Sequence, residues 1–159
     1  MTTQRITPFL WFDGKAEEAI KLYTSIFPNS KILKMRYWQE GSHYPAHWVM
    51  QADFEINGLR VYAFDAGPQF KFNEAISLFV DCKDQAEIDY YWEKLTADGG
   101  EESMCGWLKD KFGVSWQIIP HDWDAVFDHP DKSKAGKAME ALFKMKKINI
   151  QAIKDAAGI

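Results

Sequence analysis

This chain has little of what most specialised protein classes require. Among its 159 residues there are two cysteines, Cys82 and Cys105. They lie far apart and form no CxxC pair, so neither a disulfide framework nor a thiolate zinc site is expected, and a reducing cytosol suits them. Positive charge is not in excess. The formal net charge is -4, whereas a nucleic-acid-binding face calls for clustered Lys and Arg. The one basic cluster, Lys144, Lys146 and Lys147, falls in a predicted helix and reads as a solvated face. No apolar run reaches membrane-spanning length, and the run in MTTQRITPFLWF is too short for a signal peptide. A cytoplasmic address is therefore expected. There is also no GxGxxG. The glycines stand in DG, NG, DGG, CGW and FGV contexts, which argues against a doubly wound sheet with a Gly-rich first turn.

Aromatic residues are plentiful, at 15%, with seven Trp and eleven Phe. That surplus suits a core or an aromatic-lined pocket, and for any single ring the core is the commoner fate. With 47% apolar and 26% charged residues, the chain has the composition of a globular protein able to bury a core. Its length fits one domain.

The predicted elements fall into two similar halves. Ile6 to Phe12 reads as a strand, ended by the turn signal Asp13-Gly14. Ala16, Ala19, Ile20, Tyr23 and Phe27 recur at helical spacing until Pro28-Asn29 breaks the pattern. Strands are predicted at Lys31 to Trp38, Trp48 to Ile56 and Leu59 to Asp65, with Asn57-Gly58 as a hairpin turn. Ala66-Gly67-Pro68 closes this half. In the second, Ala75 to Asp81 is a strand, and Gln85 to Ala97 is a helix with Ile88, Tyr91, Trp92 and Leu95 on one face, stopped by Asp98-Gly99-Gly100. Short strands follow at Glu102 to Cys105, Trp107 to Asp110 and Val114 to Ile119. Each half thus reads β-α-β-β-β, a repeat of element order rather than of residue identity. Beyond Pro120 a short helical piece is predicted at Trp123 to Phe127. A helix over Ser133 to Lys146 has Met139, Leu142 and Phe143 on one side, and a last helix covers Ile148 to Ala157.

Three segments carry a resemblance: TPFLWFDGKAEEAIKLYTSIFPNSKI (Thr7 to Ile32), ISLFVDC with the helix after it (Ile76 to Leu95), and CGWLKDKFGVSWQIIP (Cys105 to Pro120). Together they resemble the PhnB-like branch of the vicinal-oxygen-chelate superfamily, the glyoxalase and bleomycin-resistance type. Many of its members bear the legacy name 3-demethylubiquinone-9 3-methyltransferase domain. The resemblance implies an α+β fold: two βαβββ modules forming a curved mixed sheet with a cleft, plus C-terminal helices. The expected layout is one domain over 1–159, with module one at about 5–66, module two at about 73–120 and a helical appendage at 121–159. It also implies a homodimer.

Metal-dependent members of that superfamily direct His or Glu inward from the first and last strands of each module, so that a divalent ion can polarise two substrate oxygens. Laid on that pattern, this chain presents Thr7, Ala75, Gln117 and either Phe64 or Asp65. Only Asp65 is a good ligand, and one carboxylate does not make a transition-metal site. No metal and no cofactor is expected. His43 and His47 are separated by Pro45, which disfavours a helix that would align them, and a loop is expected there. His121 and His129, beside Asp122 and Asp128, read as surface or capping residues. Cys105 has no His near it in sequence to act as base, so a buried structural thiol is the better reading.

Strand alternation puts Ser115, Gln117 and Ile119 on one face and Val114, Trp116 and Ile118 on the other. If Gln117 occupies a ligand position, its face looks into the cleft. The same reasoning turns Thr7, Phe9 and Trp11 inward on the first strand, and Ala75, Ser77 and Phe79 on the fifth. The candidate ligand-binding residues are therefore Thr7, Phe9, Trp11, Asp65, Ser77, Phe79, Ser115 and Gln117. They describe an aromatic hollow with a few neutral hydrogen-bonding groups, or else simply a core. No catalytic residue can be assigned, although Asp65 stands as a candidate general base without a paired acid or His. Two functions stay open: a metal-independent module that holds a small aromatic or amphiphilic molecule, and an enzyme acting on such a molecule, which the legacy name would make a methyltransferase. Neither nucleic acid nor membrane is expected as a partner.

Overall fold

A computed structural model describes residues 4–159. The chain divides into two compact units, one ending at Phe72 and the other running Asn73–Ile159.

In the first unit β1 (Phe9–Phe12) leads into α1 (Ala16–Ile26), followed by β2 (Lys31–Tyr37), β3 (Val49–Ile56) and β4 (Leu59–Asp65). The strands lie in the order β1-β4-β3-β2, with β1 parallel to β4 and the other pairs antiparallel. Asn57 and Gly58 both take positive φ, 46° and 83°, the backbone a two-residue hairpin needs to follow strand twist. One stripe of α1, including Ala19, Ile20 and Tyr23, is wholly buried. It packs against the sheet face that carries Ala52, Phe54, Val61 and Ala63, all likewise at 0% exposure. Burial of side chains such as Ile20 and Phe54 stabilises the unit by roughly 1.5–3 kcal/mol each.

The second unit repeats the order: β5 (Leu78–Cys82), α2 (Gln85–Thr96), β6 (Glu101–Glu102), β7 (Trp107–Lys109) and β8 (Ser115–Pro120). Its sheet runs β5-β8-β7-β6, again with the first strand parallel to the last. Asp84 caps α2 by accepting from Glu87 N at 2.9 Å, and the Glu87 carboxylate reaches back to Lys83 N at 2.9 Å. These reciprocal bonds satisfy N–H groups at the helix start and set where it begins. Ile88, Tyr91, Trp92 and Leu95 are its buried face. The β7–β8 turn is organised by buried Asp110, whose carboxylate accepts from Phe112 N, Val114 N and Trp116 Nε1.

Three helices complete this unit: α3 (Trp123–Phe127), α4 (Lys132–Leu142) and α5 (Ile150–Ala157). α4 buries Ala135, Ala138 and Leu142. Phe143, expected on that face, lies just past the helix end and is 62% exposed. The segment after α4 is tied to Cys105-Gly106: Cys105 N donates to Met145 O and Gly106 N to Lys146 O, both at 2.8 Å. Gly106 is required there. A Cβ on it would sit 2.8 Å from Ile148 Cδ1 and 2.9 Å from Ile118 O, and its φ of 82° favours glycine as well.

The two strands expected to open the modules start later than their apolar runs do. Thr7 precedes β1 because Pro8 has no N–H to give a ladder, although Pro8 O still accepts from Tyr62 N at 2.9 Å. Ala75 precedes β5 because the Asn73 side chain captures Ala75 N at 2.9 Å, forming a turn. Neither residue stands on a strand. The strand expected at Glu102 to Cys105 is reduced to Glu101–Glu102, and Cys105 itself bends into the left-handed region at φ 58°.

Candidate functional site

Each sheet has one face covered by its own unit's helix. The chemistry lies on the other. In the second unit, register places Phe79 beside Gln117 across the β5–β8 pair, Trp107 opposite Gln117, and Lys109 opposite Ser115. In-register neighbours point the same way, so these five side chains share the face turned away from α2, on which Ser115 is itself buried. Gln117 Nε2 donates to Ser77 Oγ at 2.8 Å, which brings two of the expected residues together. Phe79 is 59% exposed. Lys109 is neutralised by Glu74, which raises the lysine's pKa and lowers that of Glu74 through their hydrogen bond.

Ser115 stands apart. It is only 2% exposed, and among the described residues its Oγ has no hydrogen-bond partner. A buried hydroxyl without a partner is destabilising by about 1–3 kcal/mol, and such groups in a folded protein mark a place where another polar group fits.

In the first unit β1 pairs Phe9 with Tyr62 and Trp11 with Phe64. The rings meet edge to face: Phe9–Phe64 at 4.9 Å, Trp11–Phe64 at 4.8 Å and Trp11–Phe70 at 4.9 Å. Trp11 Nε1 donates to Gly67 O at 2.9 Å, so its polar edge is committed. The same face continues into a hollow of about 180 Å³ lined by Lys34, Arg36, Gln51, Asp53 and Tyr62. Arg60 grips Asp53 with two nitrogens, Nε at 2.8 Å from Oδ1. The expected aromatic face is present, but it is flanked by charges the sequence reasoning missed. Lys34 and Arg36 alternate on β2 as inward-pointing residues should, yet register shifts between Ile32 and Lys34 and between Arg36 and Tyr37 hide that from a count.

Asp65, expected in the cleft, does not face it. β4 turns Phe64, not Asp65, to the uncovered face. Asp65 is 2% exposed on the helix side, where Oδ1 accepts from Ala16 N at 3.0 Å and Oδ2 from Val49 N at 2.9 Å. Lys15, the residue at the N-cap of α1, makes no side-chain cap. Asp65 supplies that cap from across the sheet, and both its oxygens are used, so it is no general base for the uncovered face. Thr7 contacts Gln4 Nε2 at 3.5 Å, ahead of the strand.

The remaining candidates have local roles. His43 packs edge-on against Tyr44, and His129 Nδ1 accepts from Asp131 N. His121 pairs with Asp81 at 2.7 Å, and that hydrogen bond raises its pKa above 6.5. Burial pushes the Cys82 thiol up to about 12, which leaves it a poor nucleophile at neutral pH.

The side chains at the expected ligand positions do not suit a metal ion: Thr7, Phe64, Ala75 and Gln117 offer no His, thiolate or carboxylate. Among the described residues no group of three His, Cys, Asp or Glu side chains could hold one. Neither strand-to-helix turn forms a glycine-rich cradle for S-adenosylmethionine. The β1–α1 turn has one glycine, Gly14, whose Cβ position is already 2.8 Å from the Trp48 ring. The β5–α2 turn has none and presents Asp84 at the helix start, where a bound carboxylate would meet like charge. Among the described residues no helix is long and apolar enough to cross a membrane.

Both modules, with their parallel first-to-last strand pairing, have the architecture of the vicinal-oxygen-chelate fold. Residues 4–119 match the model of the family described as 3-demethylubiquinone-9 3-methyltransferase, and the chain belongs to this PhnB-like family. A solved structure described as a putative 3-demethylubiquinone-9 3-methyltransferase, PhnB protein, from Bacillus cereus is 39% identical, with a TM-score of 0.70. The match covers 74% of this chain and 99% of that one. Protein PA1353 from Pseudomonas aeruginosa is 22% identical over 74% of this chain and 98% of that one, with a TM-score of 0.61. The fosfomycin resistance protein FosX from Listeria monocytogenes, solved with Mn(II) and sulfate, shares the fold at 18% identity and a TM-score of 0.50, covering 73% and 90% of the two chains. No protein of curated function matches.

Proposed function

We propose that this protein binds a small, partly aromatic molecule on the uncovered sheet face of its second module, without a resident metal ion. The observation that carries this reading is the unpartnered, buried Ser115 hydroxyl, two residues along β8 from Gln117. A ligand oxygen or nitrogen that reaches this hydroxyl by displacing the side chains over it supplies the hydrogen bond it lacks, while Phe79 and Trp107 offer ring faces for an apolar body. Neutral hydroxyl and carboxamide groups orient such a ligand but do not polarise it, which favours holding over turnover. The proposal includes a cytoplasmic homodimer. Ile76, just before β5, is 70% exposed, a large apolar side chain that a second copy of the chain would cover.

Thermal-shift titration with 1,4-naphthoquinone, planar aromatic antibiotics and S-adenosylmethionine tests the reading, because a ligand that prefers the folded state raises the melting temperature. A saturable shift with an aromatic compound that disappears in Ser115→Ala and Gln117→Leu is the expected result. A shift with S-adenosylmethionine alone overturns it in favour of methyl transfer, and a stoichiometric transition metal in the purified protein overturns the metal-free part.

A further inference from the structure

Residues 120–159 lie outside the family match, which ends at residue 119, yet together with Lys83 they line a cavity. β8 ends at Pro120, and His121 N donates to Cys82 O at 2.7 Å, anchoring the chain as it leaves the sheet. α3 and α5 then provide an apolar lining of Trp123, Val126, Ile150 and Ile153 around about 120 Å³. That is several times the space one water requires, enough for a single ring or a short chain.

The polar lining is lopsided. Lys83, His121 and Lys154 contribute nitrogen, against a single carboxylate from Asp122. Lys83 is engaged by Glu87 at 3.2 Å and His121 by Asp81 at 2.7 Å. Lys154 has no ion-pair partner among the described residues. An unpaired ammonium beside an indole and branched aliphatic side chains suits a molecule with one acidic group and a compact apolar body.

We propose that this cavity is a second binding site, for a small organic anion such as an aromatic or short aliphatic carboxylate. Its acid group would sit on Lys154, and its body against Trp123 and Ile153. The site is independent of the Ser115 face and stands or falls separately from it.

The test is an NMR titration of the full chain with sodium benzoate, following the Trp123 indole N–H, with benzamide as the neutral control. Saturable movement of the Trp123 signal by benzoate and none by benzamide is expected. Lys154→Glu should weaken binding at least about tenfold, while the charge reversal Lys144→Glu and the variant Ser115→Ala leave it unchanged. No saturable shift, equal binding of benzamide, or equal losses in Lys154→Glu and Lys144→Glu would each overturn the proposal. A loss in Ser115→Ala would move the anion to the other face.

Discussion

Removing the Asp65 carboxylate should destabilise the protein severely. Both oxygens are buried, each takes a backbone N–H at about 3 Å, and the two donors, Ala16 and Val49, belong to different elements. A hydrogen bond to a charged group contributes about 1.5–3 kcal/mol, and a buried donor left bare is comparably unfavourable. In Asp65→Asn one amide oxygen still serves one donor, but the NH₂ group faces the other, so about 2–3 kcal/mol is lost. Asp65→Ala forfeits both bonds, about 3–5 kcal/mol with allowance for relaxation. With a urea m-value of about 2 kcal/mol/M, the alanine variant's midpoint falls by about 1.5–2.5 M at unchanged slope. Equilibrium urea unfolding followed by far-UV circular dichroism measures this directly. A midpoint within about 0.5 M of the parent protein for Asp65→Ala would refute the long-range cap.

Ser115→Ala should do the opposite in the absence of ligand: removing an unpartnered hydroxyl leaves stability unchanged or raises it by about 1 kcal/mol, and a clear loss in urea unfolding would contradict the assignment. The His121 imidazole should titrate above 6.5 because Asp81 holds its proton. A raised folded-state pKa means the pair's contribution is full below the unfolded value and fades as pH rises through the folded one; an NMR titration in which Asp81→Asn leaves the His121 midpoint unmoved would refute the cause. Cys82, with its thiol pushed to about 12, should resist a thiol reagent at pH 8 in the folded protein and react once urea unfolds it, as mass spectrometry of the modified peptide would show.

The local signals and the long-range ones divide cleanly. Helical spacing from Ala16 to Tyr23, the Asn57-Gly58 turn and the Asp98-Gly99-Gly100 stop are written within a few residues of where they act, so element order was readable and with it the βαβββ repeat. Alternation along β8 also put Gln117 and Ser115 on one face, and the partner that Gln117 finds, Ser77, was among the candidates. Alternation states that neighbours point opposite ways; it does not state which way is outward. For β4 that choice came from the parallel register with β1 and from a helix N-terminus 49 positions away in sequence that needed a carboxylate. Side-chain capping across a sheet leaves no local mark, so Asp65 looked like a free acid.

The same division holds for the residues that carry function. The sequence alone determined that Thr7, Ala75 and Gln117 carry no strong metal donor, because residue chemistry needs no coordinates; it left the fourth position open between Phe64 and Asp65, because strand facing does need them. Only the tertiary structure decided that Ser115 is buried without a partner, that Lys34 and Arg36 border the aromatic face after shifts in the β2 register, and that Lys154 meets Trp123 around a cavity. Burial, register and the approach of remote helices depend on contacts between residues tens of positions apart, and these exist only once the chain has packed.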